Sequence, residues 1–161
     1  DPSEFLFGSE RVGLAPVVPV LEDVQDGRCF YCADRLRGGD SQVDHFIPWA
    51  RYPRDLGHNF VLAHARCNAR KSDHLPSPGH LDAWVERNQR HATELGRRFE
   101  AIRFEHDLPA SLRIVHWAYQ TARRGGGLTW VRDRELAPLP DGWDRALGRL
   151  MLRVGVGAEP A

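Results

Sequence analysis

The three cysteines of the chain are the first residues whose spacing indicates chemistry. Cys29 and Cys32 are separated by two residues, and His64 and Cys67 repeat that spacing further along. Two-residue spacing lets both donors of a pair bind one tetrahedral zinc ion. An odd number of cysteines with no sign of secretion does not fit a disulfide framework. We therefore predict a Cys3His structural zinc site; the alternative is a lone buried Cys67 beside a surface His64.

Polar residues with catalytic potential lie between and beyond these pairs. Asp44 and His45 are adjacent in the segment VDHFIP. Consecutive side chains of a strand point to opposite faces, so one can bind a cation while the other addresses a substrate. Asn59 and Asn68 follow, and they are two of only three asparagines in the chain.

Four segments together resemble a known family, the HNH or ββα-metal (His-Me finger) endonucleases of the zinc-knuckle type. The segments are CFYC, VDHFIP, NFVLAH and HARCNARKSD, in that order and at compatible spacing over residues 28 to about 75. The intervals from His45 to Asn59 to Asn68 also match those in the HNH domain of CRISPR effector nucleases. Two positions depart from the family pattern: His64 replaces the usual cysteine, and Asn68 replaces the histidine that names the family.

The resemblance implies a catalytic site built around one divalent cation. His45 would be the general base, since a neutral imidazole takes a proton near physiological pH. Asp44 and Asn68 would each give an oxygen to one Mg²⁺ or Mn²⁺ ion. Asn59 would brace the loop that orients His45. The competing interpretations are a hydrogen-bonded core histidine, a capping aspartate, a turn asparagine at position 59 and a helix-surface amide at position 68.

The resemblance also implies DNA, single- or double-stranded, as the partner. Net charge is zero, with 22 basic and 22 acidic residues, so composition alone does not indicate a nucleic-acid partner and any basic surface has to be local. Basic side chains near the motifs would contact phosphates: Arg51, Arg54, Arg66, Arg70 and Lys71. The alternative for Arg70 and Lys71 is that they are solvated surface charges. The histidines that flank the motifs are expected to be surface residues: His58, His74 and His80.

Patterns along the chain predict the elements that position these residues. SQVDHFIP and FVLA have strand character, and HARCNARKSD contains no helix breaker. PVVPVLEDVQDG is consistent with a short helix ending at Gly27. Apolar periodicity predicts helices over about 78–104 and about 109–123, then a short strand in LTWVR and a last helix in DGWDRALGRLMLRV.

These elements predict an α+β fold: a ββα-metal nuclease core with a zinc knuckle and an appended C-terminal helical region. We expect residues 1–27 to pack on the core, 28–76 to form it, and 77–161 to be the helical extension. No apolar run reaches the roughly 20 residues of a membrane span and no signal peptide is visible, so we expect a cytoplasmic protein without a membrane partner. The first residue is Asp1 and not Met, which fits an excised domain or a processed chain; in the first case other domains of a longer chain are expected partners.

The leading hypothesis is a metal-dependent endonuclease that hydrolyses phosphodiester bonds in DNA, as a domain of a bacterial restriction or defence nuclease. The alternative is a catalytically inactive zinc-knuckle module that binds nucleic acid or protein. Degenerate copies lose the Asp-His pair or the final asparagine. Since Asp44, His45 and Asn68 are all present, the enzyme is favoured.

Overall fold

A β-hairpin followed by a short helix carries most of the predicted site residues. The computed structural model describes residues 13–157 and begins with α1 (Val17–Val24). Strand β1 (Ser41–His45) pairs antiparallel with β2 (Phe60–His64), and α2 (Ala65–Lys71) follows directly. This ββα order confirms the predicted α+β fold.

Strand β2 lies between two hydrophobic cores, and all five of its residues are buried. Phe60 and Leu62 point into a smaller core with residues of α1. Val61 and Ala63 point into a larger core. A strand that is apolar on both faces cannot show the alternation of a half-exposed strand, which explains its continuous apolar run.

The connection between the two strands ends in a tight 3-10 turn, Gly57–Asn59. A Cβ atom at Gly57 would lie 2.6 Å from the ring of Phe99, so only glycine fits this approach. The Gly57 amide also donates to the Glu105 carbonyl at 2.9 Å. The turn is thereby held against the segment that follows the next long helix.

The helical region packs on the ββα unit through the larger core. It contains α3 (Pro78–Ala101), α4 (Leu108–Arg124), the hairpin of β3 (Leu128–Arg132) and β4 (Glu135–Pro138), and α5 (Arg145–Val154). Phe46, directly after β1, stacks on Trp84 of α3 with ring centroids 5.5 Å apart. Tyr119 of α4 stacks on Trp143 at 5.6 Å. The large core therefore runs from the knuckle to the last helix.

Three details differ from the sequence-based expectation. The long helix ends at Ala101 instead of about 104, because Arg103 adopts a left-handed φ of 56°. Strand β4 was not predicted, since ELAP contains a proline and no β-branched residue. His58, expected on the surface, is only 2% exposed. We expected residues 1–27 to pack on the core, but residues 1–12 of this segment lie outside the described residues.

No helix among residues 13–157 combines the length and apolar content needed to cross a membrane.

Candidate active site and metal centre

The four predicted zinc ligands converge on one point. One donor atom from each of Cys29, Cys32, His64 and Cys67 lies within 4.8 Å of the others. The Cys32 sulfur is 3.3 Å from His64 Nδ1, and the Cys67 sulfur is 4.0 Å from the same nitrogen. Tetrahedral zinc with bonds of about 2.1–2.3 Å needs ligand atoms roughly 3.5–4 Å apart. The donor set and its spacing fit zinc.

The imidazole of His64 is oriented from its far side. Its Nε2 lies 3.2 Å from the Arg35 carbonyl and 3.5 Å from a carboxylate oxygen of Asp40. Both groups accept hydrogen bonds, so Nε2 carries the proton and the Nδ1 lone pair faces the sulfurs. An outer acceptor of this kind is the usual companion of a metal-binding histidine.

The electrostatics of the cluster favour a bound cation. Burial, together with the neighbouring Cys29 and Cys32 sulfurs, raises the pKa of Cys67 to about 12. Burial also raises the pKa of Cys32. A compensating cation would favour the thiolate forms of Cys32 and Cys67, and zinc binding displaces thiol protons. The cluster therefore has the donor set and the electrostatics of a metal centre, between the loop after α1 and the β2–α2 junction.

A second group of polar side chains lies where β1 faces α2. Gln42 and Asp44 are two apart on the strand and share a face. Asn68 donates from Nδ2 to Gln42 Oε1 at 3.1 Å. The Asp44 Oδ2 atom accepts from the Tyr31 hydroxyl at 2.6 Å and lies 3.0 Å from Lys71 Nζ. These contacts leave Asp44 Oδ1 and Asn68 Oδ1 as the oxygens with which the pair can bind a hard cation.

His45 points to the other face of β1, as strand alternation predicts. Its Nε2 lies 2.6 Å from Asp55 Oδ1, and its ring packs against Phe60 and Trp49 at centroid distances of 4.8 Å and 5.8 Å. A carboxylate only accepts hydrogen bonds, so Nε2 is the protonated nitrogen. The Nδ1 lone pair of His45 is consequently the basic one. With 15% of its side chain exposed, His45 remains accessible to solvent.

Asn59 holds the chain that follows the Asp-His pair. Its Oδ1 accepts from the Ile47 amide at 2.8 Å, and its Nδ2 donates to the Ile47 carbonyl at 3.1 Å. The Phe46 amide also donates to the Asn59 carbonyl at 2.8 Å. These three hydrogen bonds fix the exit of β1 two residues beyond His45, and Asn59 itself is buried.

One cavity of about 550 Å³ unites the candidate catalytic residues. Asp44, His45 and Asn68 all line it, as do Gln42 and Ser41. Apolar side chains from α1, from the segment before it and from the β1–β2 connection also line the cavity: Leu14, Ala15, Val18, Pro48 and Trp49. The cavity brings the acid, the base and the amide to a common space.

The predicted phosphate contacts divide into two groups. Arg66 and Arg70 are exposed on α2, and Arg51 and Arg54 are exposed on the β1–β2 connection. Arg54 pairs with Glu105 at 2.9 Å. Lys71 is 0% exposed, and its Nζ donates to the His45 carbonyl at 2.9 Å. The prediction that Lys71 contacts a phosphate is corrected, because its ammonium lies inside the protein.

Four residues of this site were missed by sequence reasoning. Gln42 could have been predicted, because it lies two residues before Asp44 on a predicted strand and so shares its face. Tyr31 had a weaker one, its place between two zinc ligands. Asp55 and Trp49 lie in a connection without periodicity, so no pattern indicated that they reach His45.

The comparison with protein families agrees with the motifs. Residues 29–77, just under a third of the chain, match the HNH endonuclease family. The family resemblance predicted from the four segments is therefore confirmed over this part of the chain. No curated protein matches the chain.

Proposed function

We propose that the chain is a metal-dependent endonuclease that hydrolyses phosphodiester bonds in DNA. The observation that carries this proposal is the shared cavity of Asp44, His45 and Asn68. Hydrolysis of a phosphodiester needs a base that deprotonates water, oxygen ligands that bind a cation, and an opening that admits the DNA strand. The family match over residues 29–77 supports the same activity class.

The proposed mechanism assigns proton transfer to His45. Asp55 holds the Nε2 proton of His45, so Nδ1 accepts the proton of the attacking water as that water approaches the phosphorus. Asp55 also stabilises the imidazolium that results. The Asn59 bonds to Ile47 keep the exit of β1, and with it His45, in place.

Asp44 and Asn68 have the oxygens for one Mg²⁺ or Mn²⁺ ion, and Gln42 orients the Asn68 amide. A divalent ion held there would stabilise negative charge on the phosphate and on the leaving oxygen. The exposed Arg66 and Arg70 on α2 would position the strand by contacts with its phosphates. The Cys3His centre, filled by zinc, would hold the scaffold and take no part in the hydrolysis.

Nicking of supercoiled plasmid DNA tests the proposal. We expect purified protein with one tightly held zinc per chain to nick the plasmid with Mn²⁺ or Mg²⁺, and EDTA to stop it. His45→Ala is expected to lower the rate about 10²- to 10⁴-fold, the contribution typical of a general base. Asp55→Asn is expected to lower it less, because the base remains.

His91→Ala is the matched control, since His91 is half-buried on α3 and does not line the cavity. Full activity of His45→Ala would remove the mechanism. Binding of DNA without nicking under any divalent cation would favour the inactive zinc-knuckle module instead.

We further propose that the domain serves a bacterial restriction or defence nuclease. This proposal is supported by the arrangement of the chain, in which a small segment that matches the nuclease family, residues 29–77, is followed by a helical region. Such an arrangement suits a domain of a longer chain. Phage plaque counts on cells expressing the full-length protein test this idea. Protection by the wild type and its loss in His45→Ala are expected; equal plaque counts would contradict it.

A further inference from the structure

The cavity beside His45 offers a phosphate little besides the proposed cation site. Among the described residues that line it, the titratable ones are Asp44, His45 and Asp73, and none is a lysine or arginine. A divalent ion at Asp44 and Asn68 would attract the scissile phosphate, but the rest of the lining supplies no positive charge, and the exposed arginines lie outside it. The space adjoining the proposed scissile position is therefore suited to an uncharged part of the substrate.

Trp49 gives this cavity an aromatic wall. Its side chain is 40% exposed although it is a large apolar group, and its ring lies 5.8 Å from that of His45. Leu14 and Val18 supply apolar surface in the same cavity. Exposed aromatic rings beside a nucleic-acid track are the usual platforms on which unpaired bases stack.

The remaining lining is polar in a way that matches a base edge. Ser41 and Ser72 offer hydroxyl groups, and Asp73 offers a carboxylate. Nucleobases carry both donors and acceptors on their edges, so such a wall can bind them. A volume of about 550 Å³ is ample for one nucleotide base, which occupies a smaller space than a drug-sized ligand.

We propose that this cavity accepts an unstacked DNA base next to the cleaved bond, with Trp49 as its stacking platform. The substrate class is then single-stranded DNA or duplex DNA with an unpaired base. Arg51 lies at the rim, where its Nε donates to the Asp73 carbonyl at 2.9 Å, and its guanidinium can contact the adjoining phosphate. This inference rests on the proposed function, since it names the substrate of the same site.

Binding measured without cleavage tests the proposal. In a His45→Ala background with zinc bound and Mg²⁺ present, fluorescence anisotropy compares three labelled DNA probes: a single strand, the matched duplex, and that duplex with one bulged base. We expect the single strand and the bulged duplex to bind about tenfold more tightly than the matched duplex. Trp49→Ala is expected to remove that difference, and Trp49→Phe to retain most of it.

Trp117→Ala is the matched control, because Trp117 is 37% exposed and does not line the cavity. Its binding should equal that of the parent protein. A Trp49→Ala protein that keeps the preference for unpaired bases overturns the inference, as does a parent that binds the matched duplex best.

The plasmid assay keeps the two proposals separate. If the wild type nicks plasmid DNA but Trp49→Ala changes no binding, only the stacking proposal fails. If stacking-dependent binding is found but no divalent cation supports nicking, only the proposed hydrolysis fails.

Discussion

Lys71, the single lysine of the chain, contacts both residues of the Asp-His pair. Its ammonium lies 3.0 Å from Asp44 Oδ2 and 2.9 Å from the His45 carbonyl, and it is fully buried. The Tyr31 hydroxyl binds the same Asp44 oxygen, and burial with the adjacent carboxylate raises the pKa of Tyr31 well above its ordinary value. Tyr31 therefore stays a donor. Both groups fix the orientation of the carboxylate and compensate its buried charge.

Replacing Lys71 leaves the buried Asp44 carboxylate without a counter-charge, and this should destabilise the fold. We expect Lys71→Met to lower the free energy of unfolding by roughly 3 to 5 kcal/mol, because Asp44 is left without its counter-charge. The double variant Asp44→Asn with Lys71→Met should recover much of this loss. Urea unfolding with zinc present measures both values.

Arg70→Met provides the comparison, since Arg70 is exposed on the same helix and should change stability by less than about 0.5 kcal/mol. A Lys71→Met protein as stable as the Arg70→Met protein would show that the buried pair has no net effect.

Side chains of helix α3 hold the backbone at the start of β2 through hydrogen bonds. Arg87 is buried and donates to the carbonyls of His58 and Phe60, both at 2.5 Å. Trp84 Nε1 donates to the His58 carbonyl at 2.9 Å. Burial lowers the pKa of Arg87 to about 9. Burial also lowers the pKa of His58 to about 4, helped by the nearby guanidinium. The 3-10 turn is thus built around a neutral histidine.

The neutral His58 makes stability depend on pH. The unfolded chain binds a proton on His58 near pH 6.5, whereas the folded chain binds it only near pH 4. Between those values the unfolded state holds more protons, so stability falls as pH falls. The loss should reach about 3 kcal/mol at pH 4. In the His58→Gln protein the free energy of unfolding should lack this part of its pH dependence. Urea unfolding repeated at several pH values between about 6.5 and 4 measures it.

His91→Gln controls for the replacement of another half-buried histidine, which lies on α3. A His58→Gln protein with an unchanged slope would mean that His58 titrates normally in the fold.

At the scale of the whole molecule, the ββα unit and the helical region share a core. Phe46 and Ile47 are both 0% exposed, and the cluster that contains them includes Leu112, Trp143 and Leu147. Burying an apolar side chain of this size contributes about 1.5 to 3 kcal/mol. Zinc bound at the proposed centre would stabilise one edge of the hairpin, whereas the helices cover its face.

A peptide of residues 28–76 with zinc should consequently lack a stable core. We expect little amide-exchange protection in β2 and no cooperative thermal transition by circular dichroism, because the apolar face of the hairpin would lie in water. The full chain with zinc is the reference. A cooperative transition in the peptide would show that the zinc centre alone suffices to fold it.

Much of the site was predictable because it depends on local spacing. The pairs Cys29–Cys32 and His64–Cys67 show their metal chemistry in two-residue intervals, and the strand of Asp44 and His45 shows its two faces by alternation. Asp55 and Trp49 were not predictable, since both reach His45 from an irregular connection. Lys71 was misjudged for a related reason: a lysine on a short helix gives no local sign that its end is buried.

The sequence by itself determined the order of strand, strand and helix and the four donors of the metal centre, because periodicity and short intervals act between near neighbours. Only the tertiary structure decided that Nδ1 of His45 is the basic nitrogen, that Lys71 faces inward and that Trp49 faces the cavity. Those outcomes follow from contacts between residues far apart in the chain, where burial and hydrogen-bond partners are set by packing.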